Sequence, residues 1–230
     1  MTERPIARLV STVLACGLLW ASTEPADAQV LSLAEDSSSD HVMTASVGVE
    51  HAVVTSLGYG RRVGVVADRP VTAVVVVTLP WAALDAGDWA LEAGAFTRVL
   101  GSSSWLLGND VRLRARRSAG AIADIVQFAV RAKLCGGYFT PKGWLSLAVT
   151  YDKSLLTHLA HSDRYRDVHY PGARNGWTGS AGGSLEGAVE GGLNVTPRAA
   201  LTARVGMHTT EDATSVMLPY LASIGANVRF

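Results

Sequence analysis

The chain has 230 residues, enough for one all-β domain of ordinary size and short for two. Its 20 basic residues offset its 20 acidic ones, which excludes the single-sign field that recruits nucleic acid. Beyond Ala21 no stretch approaches the roughly 18 consecutive apolar residues of a membrane-spanning helix, so any crossing there must be made with strands.

The first segment carries Arg4 and Arg8, an apolar run from Leu9 to Ala21, and then Ala26-Asp27-Ala28. That anatomy predicts a secretory signal peptide over residues 1–28, with the mature chain opening at Gln29. A lipidation box at Val13-Leu14-Ala15-Cys16 is disfavoured, because the apolar run continues past it through Trp20. Cleavage leaves Cys135 as a single cysteine, so export brings no intramolecular disulfide. Residues 29–41, with the polar run Glu35 to Asp40, read as a disordered lead-in on the periplasmic side.

From Val42 onward the pattern alternates with a period of two, in segments near the nine to eleven residues of a tilted membrane strand. The expected strands are 43–52, 56–67, 71–79, 88–99, 105–116, 124–139, 144–154, 184–195, 199–208 and 219–230. Ten is the working number. Val53-Val54-Thr55 is a weak turn, and merging segments there and once elsewhere gives eight. The fold class is therefore all-β, a closed antiparallel up-and-down barrel. Compact turns at 68–70, 101–104, 140–143 and 196–198 alternate with longer connections at 80–87, 117–123, about 155–183 and 209–218.

One face of these strands is apolar and the other gathers charge. The inward set is Glu50, Asp88, Glu92, Arg112, Arg114, Arg116, Arg131, Lys133, Glu186, Glu190, Arg204 and Arg229. The strand order places Glu92 beside the Arg112–Arg116 strand and Glu186 and Glu190 beside Arg204, and barrel closure is expected to bring Arg229 beside Glu50. Charges enclosed in a narrow lumen must be paired, so a neutralising network is the main expectation. A narrow conduit for small anions, drawn by the arginines of two neighbouring strands, is the alternative. Trp81, Trp89, Trp105, Tyr138, Trp144 and Tyr220 fall near strand ends, where amphipathic rings favour the headgroup boundary.

The last strand alternates Tyr220, Ala222, Ile224, Ala226, Val228 and Phe230 against Ser223, Gly225, Asn227 and Arg229. With its final Phe after an alternating strand, it resembles the small outer-membrane barrels of Gram-negative bacteria. That resemblance implies residence in outer-membrane lipid, short periplasmic turns, longer extracellular loops, and an assembly signal in Tyr220, Ile224, Val228 and Phe230 for the barrel-assembly machinery. It implies no activity.

The long connection holds the richest chemistry, with His158, His161, Asp163, Asp167, His169 and Trp177. His158, His161 and Asp163 have the makings of a metal site but lack an evident further ligand. Asp167, His169 and Ser162 offer the parts of a hydrolase without a glycine-framed nucleophile. A folded surface loop for an extracellular partner, with a short helix opening at Ser162 or Asp163 and stopped by Pro171-Gly172, fits the composition better. The expectation is thus a non-enzymatic barrel needing no cofactor or metal, its lumen largely filled by side chains.

Overall fold

In the computed structural model the described residues are 40–49, 53–81, 87–101, 104–180, 182–211 and 220–230. The predicted signal peptide, almost all of the lead-in, and Glu50 lie outside them.

Ten strands form the barrel: β1 (His41–Val49), β2 (Val53–Val66), β3 (Arg69–Pro80), β4 (Trp89–Gly101), β5 (Trp105–Ala119), β6 (Ala123–Thr140), β7 (Gly143–His161), β9 (Gly183–Asn194), β10 (Ala199–Thr210) and β11 (Tyr220–Arg229). An additional short strand, β8 (Gly176–Thr178), adds to the outer part of β7. Each barrel strand pairs antiparallel with its neighbours, and β1 with β11 closes the ring. Closure follows from the solvent. A strand edge left open in hydrocarbon would strand its backbone N–H and C=O groups, and a closed ring pairs them all.

At the seam Val42 lies opposite Arg229 and Val49 opposite Ala222. The His41 and Phe230 backbones exchange two hydrogen bonds, at 3.2 and 3.1 Å, and their rings stack with centroids 5.5 Å apart. The strand therefore starts at His41, inside the segment expected to be lead-in. The seam also corrects the expected Arg229–Glu50 pair: antiparallel closure puts Arg229 at the His41 end of β1, the end away from residue 50.

Two further expectations change. Val53-Val54-Thr55 is strand, not turn; Val54 is buried against the interior and Val53 pairs with Val49. The connection expected from about 155 is also much shorter than read, because β7 continues to His161 in register with Ala123. A bulge makes this possible: Phe128 pairs with Leu156 and Ala129 with Ser154, leaving Leu155 extra and switching the inward parity beyond it.

Outside, alternation presents Leu57, Val75, Leu113, Leu147, Val189, Leu201 and Ile224 to the surroundings, all exposed. So broad an apolar surface suits hydrocarbon and not water. Inside, the end nearest the short turns is filled by Leu106, Cys135, Phe139, Trp144 and Ala148, with Phe96 packed against them. Trp144 thus departs from the expected headgroup belt. It faces inward and stacks on Phe139 with centroids 5.8 Å apart, whereas Trp81, Trp105, Tyr138 and Tyr220 face outward and are exposed.

Glycine makes room for this plug. A Cβ on Gly192 would stand 2.4 Å from Trp144 Nε1 and 2.7 Å from its Cε2, inside the indole itself. Substituting Gly192→Val is expected to expel Trp144 and cost about 1 to 3 kcal/mol. Urea titration of the heat-modifiable band would show this as a lower midpoint, and Gly192→Val combined with Trp144→Leu should recover part of the loss.

Candidate functional site: a charged lumen and an outer extension

Parity carries charge into the middle of the barrel. Among the described residues ten Asp, Glu, Arg and Lys side chains are buried there, Glu92, Asp110, Asp152, Glu186 and Glu190 against Arg112, Arg114, Arg131, Lys133 and Arg204, and His208 is buried beside them, opposite Glu186. The ten form one connected network. Glu92 receives Arg112 at 3.0 Å, Arg131 at 3.5 Å and Arg114 at 3.6 Å. Arg112 also forks onto Asp110, donating from Nε at 2.9 Å, and Arg114 donates to Asp152 at 2.5 Å. Arg131 passes the chain on to Glu186 at 3.2 Å; Glu186 binds Arg204, which reaches Glu190 at 3.4 Å, and Glu190 holds Lys133 at 2.6 Å.

Strand register explains why the acids are needed. Arg112 and Arg131 are direct neighbours across β5 and β6, an arrangement that repels unless a carboxylate stands between them. Glu92, reaching over from β4 where it pairs with Arg114, takes that place. Arg204 sits directly opposite Glu190 across β10 and β9, as the sequence led one to expect. The charges balance five to five, which keeps the burial of so many ions tolerable.

The opposite wall is small. Thr44, Ser46, Ser56, Thr78 and Ser223 line β1–β3 and β11, all buried, with the Ser56 and Thr78 hydroxyls 2.8 Å apart. Long charged side chains on one wall facing short hydroxyls on the other fill a ten-strand ring without steric conflict.

Seven of the residues expected in the lumen, Glu92, Arg112, Arg114, Arg131, Lys133, Glu186 and Glu190, belong to the network, and Arg204 is the eighth. Arg116, Asp88 and Arg229 share the inward parity but lie toward the barrel ends and are only part-buried. Asp88 accepts a hydrogen bond from the Ala119 backbone N–H at 2.5 Å, tying β4 to the end of β5. Asp110 and Asp152 were missed by sequence reasoning. Each has the parity of an arginine already assigned inward, Asp110 with Arg112 on β5 and Asp152 opposite Arg131, and that signal would have found them.

The outer residues do not converge. His158 lies on β7 against Trp177 of β8, ring centroids 4.9 Å apart, and Trp177 stacks on Phe128 at 6.0 Å. His161, also on β7, stacks on Tyr165 at 5.5 Å, and the Asn175 side-chain oxygen accepts its backbone N–H at 2.8 Å. Ser162 donates its hydroxyl to the Ala121 carbonyl at 3.0 Å and accepts the Tyr165 N–H at 3.3 Å, which starts a short helical segment ending in a single π-helical turn, Tyr165–His169. Asp163 pairs with Arg166 on this segment, and Asp167 is exposed within the turn. The expected helix is therefore present, but no group of three potential metal ligands stands together among the described residues.

The connection expected over residues 117–123 is only three residues long, because β5 runs to Ala119 and β6 begins at Ala123. A closed ring of ten antiparallel strands, apolar outside and charged within, with short turns at one end and the longest connections at the other, is the architecture of an outer-membrane β-barrel. Solved structures similar to this chain agree. An outer membrane channel from Pseudomonas putida F1 is 9% identical with a TM-score of 0.50, the match covering 90% of this chain and 100% of that one. The outer membrane protease OmpT from Escherichia coli is 12% identical with a TM-score of 0.50, covering 88% and 100%. At such identities the likeness establishes the fold. No protein-family model matches the chain, and no curated protein matches it in sequence.

Removing the shared carboxylate by Glu92→Gln is expected to cost about 3 to 5 kcal/mol, because three buried guanidinium groups lose a counter-charge together. Thermal conversion of the folded band to the unfolded one would register the loss. The unaltered barrel should keep its transition when salt is raised to about 1 M, since buried pairs are weakly screened.

Proposed function

We propose that this chain is a non-enzymatic outer-membrane barrel with a side-chain-filled lumen, whose long extracellular extension serves surface interaction or envelope integrity. The observation that carries this reading is the neutral ten-member network lying across the lumen above an apolar plug. An ion crossing would have to break several buried pairs, in a network whose own charges balance, and then pass Trp144, Phe139 and Leu106. Water-excluded pairs of this kind are stable occupants of a lumen, not rings through which solute exchanges.

The reading as a non-enzyme is supported by the commitments of the polar loop groups. Ser162, Asp163 and His161 are each engaged in holding the extension together. In this reading residues 1–28 direct export and are removed before Gln29, and the outward face of β11, with Tyr220, Ile224, Val228 and Phe230, is what the assembly machinery reads.

Planar-bilayer recording tests the proposal. The purified chain is expected to be silent, while a variant that opens both barriers, Arg112→Ala and Arg131→Ala beside Glu92 together with Trp144→Ala in the plug, should show small conductance steps. Stable steps from the unaltered chain would overturn the filled-lumen reading in favour of the anion conduit, and reversing Arg112 and Arg114 to Glu should then invert its selectivity.

A further inference from the structure

We propose that the outward face of the β6–β7–β8 extension is a lipid-docking surface, seated by Trp177 at the boundary between headgroups and acyl chains of the outer leaflet. The extension was read from sequence as a folded extracellular surface loop. Its geometry ties one side of it to the membrane instead.

Parity gives the direction. Below the bulge Val130 and Leu134 of β6 face away from the lumen. Above it the same outward row continues with Phe128 of β6, paired with Leu156 of β7, and then with His158, paired with Trp177 of β8. The bulged Leu155 adds to this row, so Phe128, Leu155, Leu156 and Trp177 are all exposed on the extension, Trp177 at 59%. Such an apolar face is unfavourable in water, and along β6 it runs through Val130 and Leu134 into the face that the barrel already gives to hydrocarbon.

Height gives the depth. Trp105 and Tyr138 meet edge to face at 5.5 Å on the outer surface near the short turns. Phe128 and Tyr138 are ten residues apart on β6. At about 3.3 Å per residue and a tilt of about 40°, that separation rises about 25 Å, the height of the apolar band. The Phe128–Trp177 stack therefore falls at the far boundary. Lys153 lies just below it on the outward side, and its ammonium reaches Glu211 at 2.5 Å, as a snorkelling side chain does at such a level.

Charge selects the kind of lipid contact. Two cations near this rim have acidic partners, Lys153 with Glu211 and Arg117 with Asp124 at 2.9 Å. With these charges matched and its aromatic ring at the rim, the face formed by Phe128, Leu155, Leu156 and Trp177 fits the apolar–polar boundary of a bilayer. β8 has a particular part in this: it caps β7 above the point where β9 begins, so a strand from the loop, not from the barrel, supplies the aromatic ring at that position.

Fluorescence quenching in phosphatidylcholine bilayers tests the assignment. The emission of Trp177 is taken as the difference between the reconstituted chain and its Trp177→Phe variant, both showing the heat-modifiable band. It should be quenched by lipids carrying a nitroxide near the glycerol backbone, much less by lipids labelled near the chain end, and not by iodide in the water phase. Adding anionic lipid should leave the pattern unchanged. Quenching by iodide with no response to either spin-labelled lipid would overturn the proposal and leave the extension free in solvent. Should Trp177→Phe fail to fold, Leu156→Cys carrying a polarity-sensitive dye reads the same depth, an apolar emission supporting the proposal and an aqueous one opposing it. Conductance through the lumen does not alter these outcomes, so this proposal and the filled-lumen reading fail separately.

Discussion

Glu92 holds three guanidinium groups from two strands, and much of the lumen depends on that one carboxylate. Without it Arg112 and Arg131 would face one another across β5 and β6 inside a water-excluded space. Antiparallel pairing fixes which residues are neighbours, and the apolar exterior fixes which parity faces in. Two arginine-bearing strands side by side therefore require acids from strands beyond them. They come from β4 on one side and from β7 and β9 on the other, which makes the interior a single object and not a set of local pairs.

The barrel has two solvents and sorts its residues accordingly. Hydrocarbon outside accepts the aliphatic face of every strand and forbids open edges, so the ring must close. Within, the polar face has lost bulk water, so charges persist there only in balance. The apolar plug of Trp144, Phe139 and Leu106 occupies the lumen toward the short turns, where the network does not reach. Gly192 belongs to the same solution, leaving the space the indole fills.

Beyond the rim the physics changes again. β6 and β7 outrun their neighbours, and the bulge at Leu155 switches the facing of β7 alone, so that Leu156 continues the outward row beside Phe128 while Thr157 turns inward. The histidines that suggested a metal site are separated by this arrangement. His158 goes to the Trp177 side and His161 to the Tyr165 and Asn175 side, because adjacent outward and inward positions on a strand point to opposite faces.

Alternation by itself determined the fold class, the lipid-facing rows, and the presence of Glu92 and the arginines in the lumen, since a period of two states directly which side chains share a face; it left ten strands or eight, and the structure has ten in the ring. The Glu190–Arg204 pair was legible for the same reason, lying on consecutive strands joined by a short turn. Only the tertiary structure decided what depends on closure and on exact register. It moved Arg229 to the His41 end of the seam, joined Asp152 of β7 to Arg114 of β5 across the lumen, and turned Trp144 inward over Gly192. It also showed that much of the presumed loop is strand, because a single extra residue at Leu155 reverses parity and hides the period that would have revealed it. Local pattern carries facing; distance around the ring and depth along it arise only when the last strand meets the first.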